Sequence, residues 1–251
     1  MAILSDQEIL RYNRQISLKG FDFDGQEALK QASVLIIGLG GLGSAASQYL
    51  ACAGVGAMTL VDFDSVELSN LQRQVLHTSA DIGRKKVHSA AESLQALNPD
   101  LVVTTIDQQL NDDLLSDLVK THSLVVDATD NMTTRNQLNR LCYMHKIPLV
   151  SGAAIRMEGQ LSVFTYKKSE PCYQCLSSLF ADTRLSCSET GVMAPVVGVI
   201  GAAQALEAIK ILTNYGSPLT GKLLILDAMT MSWKEIKLPK NTACSLCSSP
   251  D

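Results

Sequence analysis

The sequence predicts an α/β protein built on a Rossmann-like, doubly wound, mostly parallel sheet that antiparallel strands extend. Three observations carry this expectation. The apolar run Val34-Leu35-Ile36-Ile37 stops abruptly at glycines, the pattern of a central parallel strand covered on both faces. Strand and helix patterns then alternate as far as Val150, which implies right-handed crossovers within one sheet. After Ser151 strand patterns follow one another without helices between them, so the sheet continues in mixed fashion.

In chain order, two short helices open the sequence. Ser5 with Glu8 reads as a capping box, and Asp24 with Glu27 repeats the spacing before a second helix. The strand at 34–37 leads into a small-residue helix from about Gly43 to Ala53, and Met58 to Val61 forms a second strand. Lys85 to Leu97 reads as a helix stopped by Asn98-Pro99, and Leu101 to Ile106 as a strand. A helix within Asp112 to Lys120, the strand 124–126, a helix across Thr134 to His145 and the strand 148–150 complete the alternation. Gln160 to Tyr166, Lys222 to Asp227 and Ser232 to Leu238 are the expected antiparallel strands. Nothing resembling a linker interrupts the chain. One domain is expected over 1–251, with N-terminal helices at 1–32, a nucleotide-binding half at 33–150 and a second half at 151–251.

Composition narrows the function. The 251 residues carry 21 basic and 25 acidic side chains, a net charge of −4. That balance argues against a general nucleic-acid binder, which needs a basic surface to displace counterions. The first residues hold Asp6 and Glu8 and no apolar h-region, so no signal peptide is expected. The longest uncharged apolar stretch, Gly191 to Leu206, falls short of the roughly 20 residues of a membrane span and reads as a tightly packed buried helix. Seven cysteines, an odd number without an export signal, argue against a disulfide framework and for the cytoplasm.

Chemistry concentrates in three places. Gly38-Leu39-Gly40-Gly41-Leu42-Gly43 is a G-x-G-x-x-G directly after a strand and opening a helix. Glycines there let phosphates approach the backbone and the free N–H groups of the helix end. A glycine turn made for packing alone would look the same. Asp62, at the end of the next strand, stands where an acidic residue holds a ribose hydroxyl, and the first reading is NAD binding. The run Asp62-Phe63-Asp64, then Asn70 to Gln74 and Lys86, argues otherwise. Arg73 and Lys86 exceed the needs of a dinucleotide but suit a triphosphate, unless they are ordinary solvated charges. Asp130, in Asp127-Ala128-Thr129-Asp130-Asn131, follows another parallel strand and could hold Mg²⁺ or orient a reacting group. Asp130 or Asn131 could equally cap the next helix.

The third place is the most specific. Cys172/Cys175 and Cys244/Cys247 are two C-x-x-C pairs at zinc-knuckle spacing, and four thiolates make a closed structural Zn²⁺ site. A redox-active pair is the weaker alternative. Cys52 and Cys142 sit in apolar helix patterns and read as core thiols. His77, His88, His122 and His145 show no metal-ligand spacing. Cys187, in a polar segment, is a candidate nucleophile or an incidental cysteine.

Taken together, Gly38–Gly43, Asp62, Asn70–Gln74, Lys86, Asp127–Asn131 and the paired C-x-x-C motifs resemble the ThiF/MoeB group of ubiquitin-activating-enzyme-like proteins. Arg11-Tyr12-Asn13-Arg14-Gln15 and Ser151-Gly152-Ala153-Ala154 fit the same group. Arg156–Gln160 and Gly191–Pro195 resemble its MoeB branch most. The resemblance spans essentially the whole chain and implies ATP-dependent adenylation of the C-terminal glycine of a ubiquitin-like sulfur carrier ending in Gly-Gly. In the MoeB branch the carrier serves molybdenum-cofactor synthesis, and in the thiamine branch another carrier takes its place. More distant alternatives are an NAD-dependent oxidoreductase and a non-catalytic, zinc-stapled binding subunit.

The resemblance also implies site residues. Gly38, Gly40, Gly41, Gly43, Asp62, Asp64, Gln74 and Asn131 bind the nucleotide, while Asn70, Arg73 and Lys86 meet the phosphates. Asp130 serves Mg²⁺ and the reacting centre. Arg14 reaches the triphosphate from the other subunit of a homodimer, whose interface is expected to include the helix from Pro195 to Ile211. A persulfide-type sulfur donor would act afterwards, with Cys187 a possible participant in sulfur transfer only. Neither nucleic acid nor membrane is an expected partner.

Overall fold

The structure, a computed structural model, describes residues 3–179 and 191–248. Helix α1 (Asp6–Ile16) begins with the expected capping box: the Ser5 hydroxyl accepts the Glu8 N–H, and the Glu8 carboxylate accepts the Ser5 N–H at 2.8 Å. Helix α2 (Asp22–Gln31) does not repeat it. Phe21 is its N-cap without a side-chain bond, and Asp22, at φ +49°, accepts the Gly20 N–H instead. The helix has thus begun two residues before Asp24. That carboxylate lies inside the first turn, where it favours the helix dipole rather than capping it.

The remaining elements are β1 (Ser33–Ile37), α3 (Gly41–Ala53), β2 (Ala57–Val61), α4 (Lys86–Leu97), β3 (Val102–Ile106), α5 (Asp112–Thr121), β4 (Leu124–Asp127), α6 (Met132–His145), β5 (Leu149–Ile155), β6 (Glu158–Phe164), α7 (Tyr173–Ser177), α8 (Ala194–Thr213), β7 (Lys222–Asp227) and β8 (Ser232–Lys237). The eight strands form one sheet in the order β3-β2-β1-β4-β5-β6-β7-β8. The first five run parallel, and the last three join antiparallel. The strand order reverses between β1 and β4, the place where an open sheet leaves a crevice at its carboxyl edge.

Side chains of β1 divide between two cores. Val34 and Ile36 pack with α3, α4 and α8, whereas Leu35 and Ile37 pack with α5, α6 and the cysteine-bearing segments. The parallel half is therefore covered on both faces. In the antiparallel half, α8 covers one face, with Ile200 against Leu226. The other face carries Ala153, Gln160, Ser162 and Leu223 and lines a groove.

Two glycines are demanded by this packing. Gly38 holds φ +91° at the end of β1, and a Cβ on Gly43 would stand 1.9 Å from the Gly38 carbonyl oxygen. Helix α8 runs 20 residues, longer than its uncharged stretch, and by length and composition alone could span a bilayer. Here Val197, Ile200, Gln204 and Ala208 are buried in the fold, and Gly201 lets its backbone approach Leu42 of α3.

Candidate active site

A cleft opens where the carboxyl ends of β1, β2 and β4 meet. Its floor is the glycine loop and the start of α3. Gly40 precedes that helix with extended backbone and no side-chain cap, so the first-turn N–H groups lack an intrahelical partner, and Gly40 and Gly41 line the cleft. Such an end suits phosphate oxygens.

Asp62 stands at the tip of β2 and is buried. Its two oxygens accept the Leu39 N–H at 2.7 Å and the Asp64 N–H at 2.9 Å. The carboxylate thus ties the glycine loop to the β2 loop, and each oxygen keeps a lone pair for a ribose hydroxyl. Lys86 is also buried, and its Nζ meets the half-exposed Asp64 carboxylate at 2.8 Å. The pair carries a cation to the wall of the cleft. Arg73 is half-buried and spends one Nη1 donor on the Ser69 carbonyl at 3.1 Å. The Asn70 amide oxygen accepts the Glu67 N–H, and the buried Gln74 leaves its Oε1 without a partner among the described residues. Asp62, Asp64, Asn70, Arg73, Gln74 and Lys86 all line the cleft.

Asp130 faces them across the cleft, exposed on the loop after β4. Beneath it, fully buried Asp127 accepts the Thr129 N–H, the Thr129 hydroxyl at 2.7 Å and the Ser151 hydroxyl at 2.9 Å. Asn131 caps α6 by accepting the Thr134 N–H at 2.9 Å and still lines the cleft, so capping and ligand contact coexist.

The four paired cysteines converge although Cys172 and Cys244 are distant in sequence. The Cys172–Cys175, Cys172–Cys244 and Cys175–Cys247 sulfurs lie 4.0, 3.7 and 3.4 Å apart, and all four lie within 4.8 Å of one another. Tetrahedral zinc with Zn–S bonds near 2.3 Å sets sulfurs about 3.8 Å apart, so these residues fit that metal. Four near-equal corners do not suit a working dithiol, which would single out one pair. The cluster is buried and could hold a metal ion.

Four further expectations remain, and only that for Cys52 ends differently. Arg14 is exposed on α1 and is not among the residues lining the cleft, so the single chain does not bring it there. Cys187 lies outside the described residues. Cys142 is buried, and burial raises its thiol pKa well above the ordinary value. Cys52, read as a core thiol, is exposed. It stands one turn after the exposed Tyr49, on the face of α3 that turns away from the sheet.

Some lining residues escaped the sequence reading. Gln108, Gln109 and Leu110 wall the cleft beyond β3. The rule that ligands bind past strand ends could have found them. A second groove, lined by Arg135, Arg140, Gln160, Ser162, Leu223 and Leu246, runs over the sheet face that α8 leaves uncovered. It shares Gln109, Leu110 and Gln137 with the first, so the two adjoin.

Known proteins are similar to this chain in sequence and fold. The profile of the ThiF family matches residues 12–246. A molybdopterin-synthase adenylyltransferase of Salmonella typhimurium is 60% identical over 98% of this chain and 99% of its own. The sulfur carrier protein ThiS adenylyltransferase of Escherichia coli is 43% identical, over 97% of each chain. Among solved structures, E. coli MccB with ATP superposes with a TM-score of 0.82 at 25% identity, over 98% of this chain and 75% of that one.

Proposed function

The chain belongs to the ThiF family, and on that premise we propose that it adenylates the C-terminal glycine of a ubiquitin-like sulfur carrier, the small subunit of molybdopterin synthase. The enzyme is an adenylyltransferase and uses ATP, and its product is ready for thiocarboxylation in molybdenum-cofactor synthesis. The observation that supports this reading best is the adjacency of the two grooves: a phosphate-suited cleft borders an extended channel at Gln109, Leu110 and Gln137.

A carboxylate does not react with a sulfur nucleophile unaided because it offers no leaving group. In adenylation a carboxylate oxygen attacks the α-phosphorus of ATP, the bond to pyrophosphate breaks, and an acyl-adenylate remains. The difficulty is one anion approaching another, so rate comes from neutralised charge and alignment. We assign Asp62 to the ribose and the N–H groups of the glycine loop to the phosphates. Arg73, Lys86 and the amides of Asn70 and Gln74 neutralise and orient the β- and γ-phosphates. Asp64 holds Lys86 in place, and Asp130 would hold Mg²⁺ and orient the reacting carboxylate. Mg²⁺ supplies further charge neutralisation on the triphosphate. Cys172, Cys175, Cys244 and Cys247 hold a structural Zn²⁺ that clamps the C-terminal segment to the α7 loop.

The carrier's body rests on the open face of β5–β7, and its extended tail follows the second groove to Asp130. One domain serves both tasks, with 33–150 taking the nucleotide and 151–251 the carrier. Arg14, exposed and away from its own cleft, is assigned to the cleft of a partner subunit in a homodimer that also uses the outer face of α8. Mixing Arg14→Ala with Asp130→Ala chains should restore activity in the mixed dimer. A cytoplasmic persulfide donor would act on the adenylate afterwards. A thiol neutralises no phosphate, so Cys187 belongs to that later step if to any.

ATP–pyrophosphate exchange tests the whole. Exchange should require a Gly-Gly carrier of the molybdopterin type and vanish when its last glycine is removed. Exchange with a thiamine-type carrier alone would move the enzyme to that pathway, and exchange with neither carrier would overturn the reading.

A further inference from the structure

Between Asp130 and the cysteine cluster lies a polar chain that the adenylation roles do not use. Arg135 of α6 donates from one nitrogen, Nη2, to the carbonyl oxygens of Thr129 at 2.5 Å and Gly152 at 3.0 Å. The Thr129 carbonyl belongs to the peptide plane that leads into Asp130. Because that plane is rigid, fixing its oxygen limits where the Asp130 backbone can go. Gly152 belongs to β5, so one guanidinium bridges the loop after β4 to the neighbouring strand.

The guanidinium is itself backed from the other side. Tyr173, the residue after Cys172, is buried and lies along α6. Its N–H donates to the Asn139 side-chain oxygen at 2.9 Å, and its hydroxyl donates to the Met132 sulfur at 3.4 Å. Met132, Arg135 and Asn139 sit at i, i+3 and i+7, on one face of α6, so the tyrosine spans a face whose middle residue is Arg135. Burial pushes the Tyr173 phenol pKa up, and the nearby Arg135 guanidinium pulls the other way. Tyr173 cannot wander, because Cys172 and Cys175 flank it within the four-sulfur cluster.

We propose that Arg135 is a positioning residue for Asp130, latched by Tyr173, so that the cysteine cluster fixes the reacting centre through one tyrosine and one arginine. The proposal rests on the reading of the cleft as an adenylation site and adds the element that holds its key carboxylate. It also explains why α7, a helix of five residues, docks on α6 through both the backbone N–H and the hydroxyl of one residue.

The test compares Arg135→Met, Arg135→Lys and Tyr173→Phe in the full chain. Readouts are pyrophosphate exchange with the Gly-Gly carrier, ATP affinity, and amide hydrogen exchange across residues 127–134. Arg135→Met should lower kcat on the order of 100-fold, the effect of a small misalignment, with KM for ATP within about twofold. Arg135→Lys should recover part of the loss, since an ammonium can still reach one carbonyl. Tyr173→Phe, which keeps the ring and the Asn139 bond, should give a smaller fall in kcat. In each case amides at 127–134 should exchange faster while other segments keep their protection.

A wild-type kcat in Arg135→Met would overturn the proposal. So would a rise in KM for the carrier alone, which would make Arg135 a contact for the tail. Protection lost across the whole fold would reduce it to a structural residue. Should Arg135→Met fail to fold, Tyr173→Phe decides through the same kcat and amide readouts. If the wild-type enzyme exchanges pyrophosphate with no carrier, the adenylation reading fails instead. The amide readout would still report on the latch.

Discussion

The two halves of the sheet use the same eight-stranded frame for opposite ends. Strands β3-β2-β1-β4-β5 run parallel under helices on both faces, and their carboxyl edge carries Asp62, Lys86, Arg73 and Asp130. Strands β6-β7-β8 are antiparallel, covered by α8 on one side and by a groove on the other. In the first half, burial on both sides fixes the strand ends, and fixed strand ends can align charges for a reaction. In the second, an uncovered face is free to receive a partner, and the four-cysteine cluster that could hold a metal joins the C-terminal segment to the α7 loop beside it. On the proposed reading, chemistry sits where the sheet is fully sandwiched, and recognition where it is not.

The sharpest way to break that division is to remove the parallel half's charges. Asp130→Ala should reduce pyrophosphate exchange by more than about 1,000-fold, roughly 4 kcal/mol of barrier, while leaving the fold intact. Near-normal exchange would dismiss Asp130 from the reacting centre. Lys86→Met and Arg73→Ala should each cost about 2–4 kcal/mol of transition-state stabilisation, the scale of one preorganised contact. If the Lys86 loss merely weakened ATP binding with kcat intact, its charge would stabilise bound ATP and the transition state equally.

Sequence disclosed the parallel half far better than the antiparallel one. Val34–Ile37 is unbroken because both faces are buried, and the glycines after it carry steric demands that no other residue meets. The cysteine pairs were legible because thiols at that spacing have few other uses. Strands β7 and β8 were found from local pattern, but which face they leave open depends on where α8 packs, a contact between distant segments. Arg135, Tyr173 and Asn139 were invisible for the same reason. An arginine reaching two carbonyls has no periodic signature, and Asn139 reads like any polar helix residue until its partners are known. Cys52 went wrong because α3 is rich in small residues on every side, which blurs its buried stripe.

A metal test sharpens the comparison from the other end. Metal analysis should give about one Zn²⁺ per chain, and Cys244→Ser should lower Tm on the order of 10 °C. A protein of this size loses about 2–4 °C per kcal/mol, so the drop corresponds to several kcal/mol. ATP affinity should survive, because the glycine loop and Lys86 are held by the parallel half. Carrier-dependent exchange should fall with the loosened α7. Loss of ATP binding in step with Tm would show that the two halves do not act separately.

The smallest expected effect belongs to His77, which lies in the parallel half close to the glycine loop. It is buried, with Nδ1 2.8 Å from the Ser89 hydroxyl and Nε2 without a partner among the described residues. Burial lowers its pKa, and nearby Lys86 pushes the same way, against the Leu39 backbone, Asp81 and Asp62. The folded protein therefore favours the neutral imidazole, whereas an unfolded histidine takes up a proton near pH 6.5. Below that pH the unfolded chain binds more protons than the folded one, so stability falls as pH drops toward the lowered folded value. Above it the contribution is complete. His77→Gln should flatten the fall of Tm between about pH 6.5 and 5 without changing its course at higher pH. Metal loss on acidification would also lower Tm, but through the cysteines of the other half, and His77→Gln would leave that decline in place. Parallel Tm curves for the wild type and the variant would show that His77 contributes nothing to the acid sensitivity and leave it to the cysteines and to carboxylates such as Asp81, whose pKa the fold lowers.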